Sequence, residues 1–251
     1  MDQFSLRYIY AALLAIFSIY LISTIYIIIF KVSHFQAGTF SQSCYRFNTY
    51  VAMAVALSAY GEEGAALLGI LIAVAIPFIN VLAVGTLIWY GKKESNWRRN
   101  ILLTLRAIVS NPLILACTAG AFFSQLGFNF PVFINNTLHL VSMVALPLAL
   151  LSIGGAMSFA NLRNNLSLSL VSIGFKLILL PIIGYFFLLW FEVTALQFKI
   201  ALLFFAMPTS TAIYVLSSQL NSDIRLAADA IVLSTFGSLF SLTTILILSE
   251  V

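Results

Sequence analysis

The stretch Ala206-Met207-Pro208-Thr209-Ser210-Thr211 lies in the middle of an apolar run that covers residues 197–218. Pro208 has no backbone N–H and clashes with the preceding turn of a helix, and the hydroxyl groups that follow it can bond to freed carbonyls. A run of about 20 apolar residues is long enough to cross a bilayer. The stretch therefore predicts a membrane-spanning helix that is broken near its middle.

The composition of the whole chain points to the same environment. Hydrophobic residues make up 62% of the 251 residues and charged residues 8%, with a mean hydropathy of +1.07. A water-soluble domain carries about a quarter charged residues. In lipid every backbone polar group must be satisfied inside a helix or inside the protein. The chain is therefore predicted to be an all-α polytopic membrane protein, with the lipid bilayer as its surroundings.

Eight apolar runs of membrane-spanning length can be assigned, and they are labelled A to H. They form one transmembrane domain, 1–251, because no segment between them is long enough for a soluble core. The predicted spans are 8–30, 45–60, 64–90, 101–126, 137–159, 166–190, 197–218 and 225–248.

The basic residues predict the orientation of these spans. One set of loops holds nine of the 12 basic residues, and the opposite set holds only Arg7 and Lys199. By the positive-inside rule the first set is cytoplasmic, so both termini are expected outside. The net charge of +4 reflects these anchors and does not indicate nucleic-acid binding. The nine residues are Lys31, Arg46, Lys92, Lys93, Arg98, Arg99, Arg106, Arg163 and Arg225.

The sequence contains a weak internal repeat. A shift of 160 residues places spans A, B and C on spans F, G and H, and places Asn48-Thr49-Tyr50 on Pro208-Thr209-Ser210. Spans B and G cross in opposite directions, so the two units are predicted to be inverted, as in many secondary transporters. Residues 8–90 form a first repeat of three helices, which is incomplete beside the five helices of 101–250.

The two matching interruptions are the candidate binding site. Asn48 and Thr49 in span B, and Pro208, Thr209 and Ser210 in span G, lie at equivalent places. Discontinuous helices expose N–H and C=O groups near the midplane, and their N-terminal ends attract anions. The alternative is a simple proline kink, in which the hydroxyl groups cap their own backbone.

Three isolated polar residues inside the spans extend this hypothesis. Lys176 lies well inside span F, where an ammonium is costly and normally faces the bundle interior with a partner. Asp229 in span H is its predicted partner and a weak candidate for coupling to an ion. Asn80, after Pro77 in span C, is a candidate buried amide for the substrate. Alternatively, Lys176 snorkels or pins two helices together.

Several motifs that would indicate other functions are missing from the sequence. There is no G-x-S-x-G, no H-E-x-x-H, no P-loop and no pair of aspartates within the spans. His34 and His139 lie far apart, and the two cysteines form no metal-ligand pattern. The chain is therefore not expected to be an enzyme, and no metal or cofactor is expected.

A family resemblance covers nearly the whole chain in order. The segments that carry it are 42–50 with Gly61, 76–82, 111–114, 146–154, Lys176-Leu177 with Leu180-Pro181, and 206–212 with Gln219 and Asp223. They resemble the fourth to ninth helices of the auxin efflux carrier family, which includes plant auxin exporters and bacterial malonate permeases. The resemblance implies a ten-helix fold of two inverted five-helix units, without the first two helices here. It also implies that broken helices B and G cross at the site of an organic anion.

The resemblance leads to a functional hypothesis with open alternatives. The expected function is secondary active transport, by alternating access, of a dicarboxylate such as malonate or malate, or of an auxin-like acid. A proton or sodium ion is the expected coupling ion, a homodimer is a candidate assembly, and a bacterial inner membrane is the expected location. The alternatives are a non-transporting subunit or remnant of such a carrier, and a carrier similar to bile-acid-sodium symporters.

Overall fold

The computed structural model describes residues 3–91, 130–156, 166–193 and 195–250, with scattered positions between 102 and 126. Every regular element in these ranges is helical, which confirms the predicted all-α polytopic fold. Four of the described helical segments are long and apolar enough to cross a membrane, and two shorter apolar helices accompany them. Predicted span D, 101–126, lies largely outside the described residues.

The first three predicted spans form one compact unit. It consists of α1 (Gln3–Ile29), α2 (His34–Tyr45) and α3 (Thr49–Gly91). Gly61, with φ 65° and ψ −160°, interrupts α3, and the chain after it runs back beside α2. Gly38 of α2 packs so closely on this returning part that a Cβ would lie 3.1 Å from the Cα of Leu87.

The described remainder contains one separate helix and a second unit that parallels the first. The separate helix is α4 (Val132–Ala156), whose main described contact is with α3. The elements of the second unit are α5 (Leu166–Gly174), a π-helical turn (Phe175–Leu179), α6 (Leu180–Trp190), α7 (Ala195–Phe205), α8 (Ala212–Gln219) and α9 (Ile224–Glu250).

The two units match element by element at the shift of 160 residues. This shift moves 34–45, the bounds of α2, onto 194–205, and α7 is Ala195–Phe205. It also moves Gly61, with φ 65°, onto Asn221, whose φ is 54°. Both units therefore contain a helix, a broken helix, a left-handed turn and a returning helix, in that order.

The core lies where the two units meet. Helix α1 packs along α6, and small side chains such as Ala11, Ala12 and Ala15 are fully buried there, which allows close approach. Gly184 of α6 lies directly against the ring of Phe205, where any larger residue would collide with it. Large apolar side chains such as Phe240 and Trp190 remain exposed on the outer surface, as expected for residues that face lipid.

Predicted span B begins later than the helical segment in the structure, because the polar helix α2 before it was not recognised as part of the span. The prediction of 45–60 left out α2, because its polar sequence, with Thr39 and Gln42, is typical of a loop. In the structure α2 is surrounded by protein, and residues 37–45 are all buried. Thr39 and Ser217 share a hydrogen bond of 2.7 Å, and Gln42 donates to Ser217 at 3.0 Å. Span E was also predicted too late, since α4 begins at Val132 instead of residue 137.

A side chain at Gly61 should lower the stability of the protein, because the backbone of the turn has a positive φ. A Cβ at this position would meet no atom within 4 Å, so the cost of Gly61→Ala is backbone strain alone, about 1–3 kcal/mol. Gly69→Ala is the matched control, because Gly69 is helical and equally unobstructed, so alanine should stabilise it slightly. Thermal unfolding of the detergent-solubilised protein should show a lower Tm for Gly61→Ala only. Equal midpoints for the two variants would contradict the strained turn.

Candidate functional site

The two broken helices cross and bond to each other at their interruptions. The backbone N–H of Asn48 donates to the carbonyl of Pro208 at 2.9 Å. The hydroxyl Oγ1 of Thr209 donates in the other direction, to the carbonyl of Ser43, at 2.8 Å. Each interruption therefore supplies a partner for a backbone group that the other has freed from its helix.

Local sequence explains where the helices stop and restart. The side-chain Oδ1 of Asn48 accepts the N–H of Val51 at 3.2 Å and so caps the first turn of α3. Ser210 plays a similar part for α8, because its Oγ accepts the N–H of Ala212 at 3.2 Å. Pro208 contributes no N–H, so one unsatisfied donor is avoided inside the second break. Thr49, the first residue of α3, is half-buried beside the crossing.

The returning helix α9 satisfies the second break. Ser234 accepts the N–H of Thr209 at 3.1 Å, and the hydroxyl of Ser241 donates to the carbonyl of Ala206 at 3.0 Å. Neither serine was singled out from the sequence, because serines are common in membrane helices and usually bond to their own backbone.

Lys176 is fully buried and joins the two breaks. Its Nζ donates to the carbonyl of Phe205, the last residue of α7, at 2.8 Å. A cation at the C-terminal end of a helix is favoured by the helix dipole. The same Nζ lies 3.9 Å from the ring centroid of Phe47 in the first break, a cation–π contact. Phe47 in turn stacks on Phe204 of α7, with 3.9 Å between ring centroids.

The predicted pairing of Lys176 with Asp229 is wrong. Lys176 lies on the π-helical turn, which directs its side chain to the end of α7. Asp229 lies in the second turn of α9 and has a carboxylate oxygen, Oδ2, with no hydrogen-bond partner. Within the described residues the one ion pair is Arg7–Glu192, which includes neither Lys176 nor Asp229. The structure therefore does not pair Asp229 with Lys176.

Arg46 is the residue of the crossing that sequence reasoning missed. It was counted among the cytoplasmic loop residues, but only 4% of it is exposed, inside the first break. Its Nη2 donates to Oδ1 of Asn80 at 2.8 Å, which places this predicted site residue beside the crossing. The available signal was its position two residues before Asn48, within the predicted interruption.

Three buried nitrogen donors around the first break have no hydrogen-bond partner. They are Nη1 of Arg46, Nδ2 of Asn48 and Nδ2 of Asn80. Buried donors without partners are costly and call for an explanation, and a bound group with acceptor oxygens is one that would satisfy them. They lie beside the N-terminal end of α3, which carries a partial positive charge. The chemistry of this donor set matches an anion with several acceptor oxygens.

The described site defines a class of protein: a polytopic helical carrier in which two discontinuous helices cross inside the membrane. Comparison with known families agrees with this class, since the family model described as membrane transport protein matches residues 4–246. The chain belongs to this family, which covers the auxin efflux carriers. It is a membrane transporter and not an enzyme. No curated protein matches the chain.

The hydrogen bond from Thr209 to the first break should contribute measurably to stability. Thr209→Val keeps the shape but leaves the carbonyl of Ser43 buried without this donor, at a cost of about 1–3 kcal/mol. Thr243→Val is the matched control, because Thr243 is exposed and bonds only to Leu239 in its own helix. We expect a lower Tm for Thr209→Val and an unchanged Tm for Thr243→Val. A neutral Thr209→Val would mean that the crossing does not depend on this bond.

Proposed function

We propose that the chain is a secondary transporter that carries a small organic anion by alternating access and binds it at the crossing of the two breaks. The substrate class is a carboxylic acid, either a dicarboxylate such as malonate or malate, or an auxin-like acid. The observation that carries the proposal is the set of three partnerless donors on Arg46, Asn48 and Asn80.

The donor set has the features that carboxylate binding needs. A guanidinium presents planar, paired N–H groups that match the two oxygens of a carboxylate. Asn80 holds the guanidinium through Nη2 and leaves Nη1 for a ligand. The N-terminal end of α3, which begins at Thr49, adds backbone N–H groups and the positive end of a dipole. A bound carboxylate would satisfy donors that are otherwise desolvated without a partner.

The two-unit architecture supports alternating access. Inverted units allow a carrier to exchange the conformations of its halves, which moves access from one side of a central site to the other. The two breaks are joined directly by two hydrogen bonds, from Asn48 to Pro208 and from Thr209 to Ser43. We propose that a rocking motion of the two units breaks and re-forms both bonds in one step. From the distribution of basic residues we propose that both termini lie outside. From the family and the short loops we propose a bacterial plasma membrane as the location.

Asn48→Asp should separate folding from anion binding. Aspartate keeps the oxygen that caps Val51, so the protein should fold, but it replaces the Nδ2 donor with an acceptor and adds a negative charge. We expect a loss of saturable uptake of radiolabelled malonate, malate or indole acetate by proteoliposomes, by at least about tenfold. Asn48→Ala should lose both the uptake and part of the stability.

The control for the added charge is Asn136→Asp, at an exposed position of α4. It should transport like the unmodified protein. If Asn48→Asp transports normally while its Tm is unchanged, the anion does not bind at this break. If none of the three acids is taken up by the unmodified protein, the substrate class is wrong.

A further inference from the structure

Within the part of the chain that the structure describes, Arg46 forms no ion pair at the crossing. A guanidinium stays protonated in proteins, and this one is buried in the membrane-embedded part of the chain. Its hydrogen-bond partner, Asn80, is a neutral amide. The neighbouring Lys176 is likewise held by neutral groups, the carbonyl of Phe205 and the ring of Phe47.

None of the acidic side chains that the structure describes forms an ion pair with Arg46. Glu62, Glu63 and Glu192 are exposed at the ends of helices. Asp223 accepts the N–H groups of Arg225 and Leu226 and so caps α9. Asp229 follows in the second turn of the same helix and interacts electrostatically with Asp223. The titratable neighbour that acts on Arg46 is Tyr45, whose phenol is neutral, and no described carboxylate does so.

An unpaired charge makes a rearrangement inside the membrane unfavourable. Removing a charge from water in low-dielectric surroundings costs several kcal/mol unless an opposite charge accompanies it. During alternating access the crossing must change its exposure from one side to the other. An anion bound to Arg46 supplies the missing negative charge, so the loaded carrier should rearrange more easily than the empty one.

We infer that the protein works as an anion exchanger, which returns across the membrane mainly with a second organic carboxylate bound. The inference rests on the proposed function, because it assumes that Arg46 binds the transported anion. The inference names the class of counter-substrate: a second carboxylate, taken up on the opposite side, occupies the carrier on its return. The carrier would then swap one organic acid for another, and net flux of either acid would be slow.

The test compares exchange with net uptake in proteoliposomes that contain the full chain. Labelled malonate is added outside, and the vesicles contain either unlabelled malonate or only a bulky sulfonate buffer. Potassium and a potassium ionophore on both sides remove the membrane potential, so that charge movement does not limit net uptake. We expect at least about tenfold faster initial uptake into the malonate-loaded vesicles.

Three variants test whether the charge of Arg46 causes the difference. Asn80→Asp places a carboxylate next to the guanidinium, in contact with Nη2, and removes a donor of the proposed site, so the rate of exchange should fall towards the rate of net uptake. Arg46→Gln removes the charge and should also lower the ratio. Arg46→Lys keeps the charge and should keep a high ratio, although its affinity for malonate falls because the planar pair of donors is lost.

Each outcome decides the inference. Net uptake as fast as exchange in the unmodified protein would overturn it and leave the proposed function standing. A ratio that stays high in both Asn80→Asp and Arg46→Gln would overturn the role of Arg46. If neither kind of vesicle shows saturable uptake, the proposed function fails and the inference fails with it. A high ratio that falls in Asn80→Asp and survives in Arg46→Lys supports the exchanger.

Discussion

The structure depends on the requirement that a backbone group freed inside a membrane must find a partner within the protein. Each broken helix leaves N–H and C=O groups without their usual partners four residues away. The N–H of Asn48 finds the carbonyl of Pro208, and the carbonyl of Ser43 finds the hydroxyl of Thr209. Because each break supplies what the other lacks, neither is expected to be stable alone. This dependence holds the two units together at the crossing.

The two breaks are completed in chemically different ways, although their backbones match at the shift of 160 residues. Around the second break neutral serines of α9 satisfy the backbone, and Lys176 binds the last carbonyl of α7. Around the first break the side chains of Arg46 and Asn80 bond to each other and leave donors without partners. The architecture is thus nearly symmetric, while the positive charge that can bind an anion lies on one side. In the proposed function this asymmetry defines the substrate position, and the uncompensated charge favours exchange over an empty return.

Part of the site can be predicted from the sequence, because some residues have only a few possible roles in a membrane helix. Pro208 favoured an interruption of its helix, and Lys176 favoured a buried position with a partner, and the structure shows both. The partner of Lys176 was predicted wrongly as Asp229. A backbone carbonyl that is freed by a helix break leaves no mark in the sequence, so it was not considered as a partner. Arg46 was assigned to a loop for a related reason. The polar helix α2 before it does not look like a membrane span, since its neighbours are protein and not lipid.

The sequence by itself determined that the protein lies in lipid, that it is all-helical, and where its two broken helices are interrupted. The first two follow from composition, and the breaks follow from residues that act locally, namely Pro208 in the second break and Asn48 in the first. Tertiary structure alone decided which freed groups meet, because the crossing joins positions such as Asn48 and Pro208, which are far apart along the chain. It also decided that Arg46 lies inside the molecule and that its charge has no described acidic partner. Such properties depend on the packing of several helices at once, and no local pattern in the sequence contains that information.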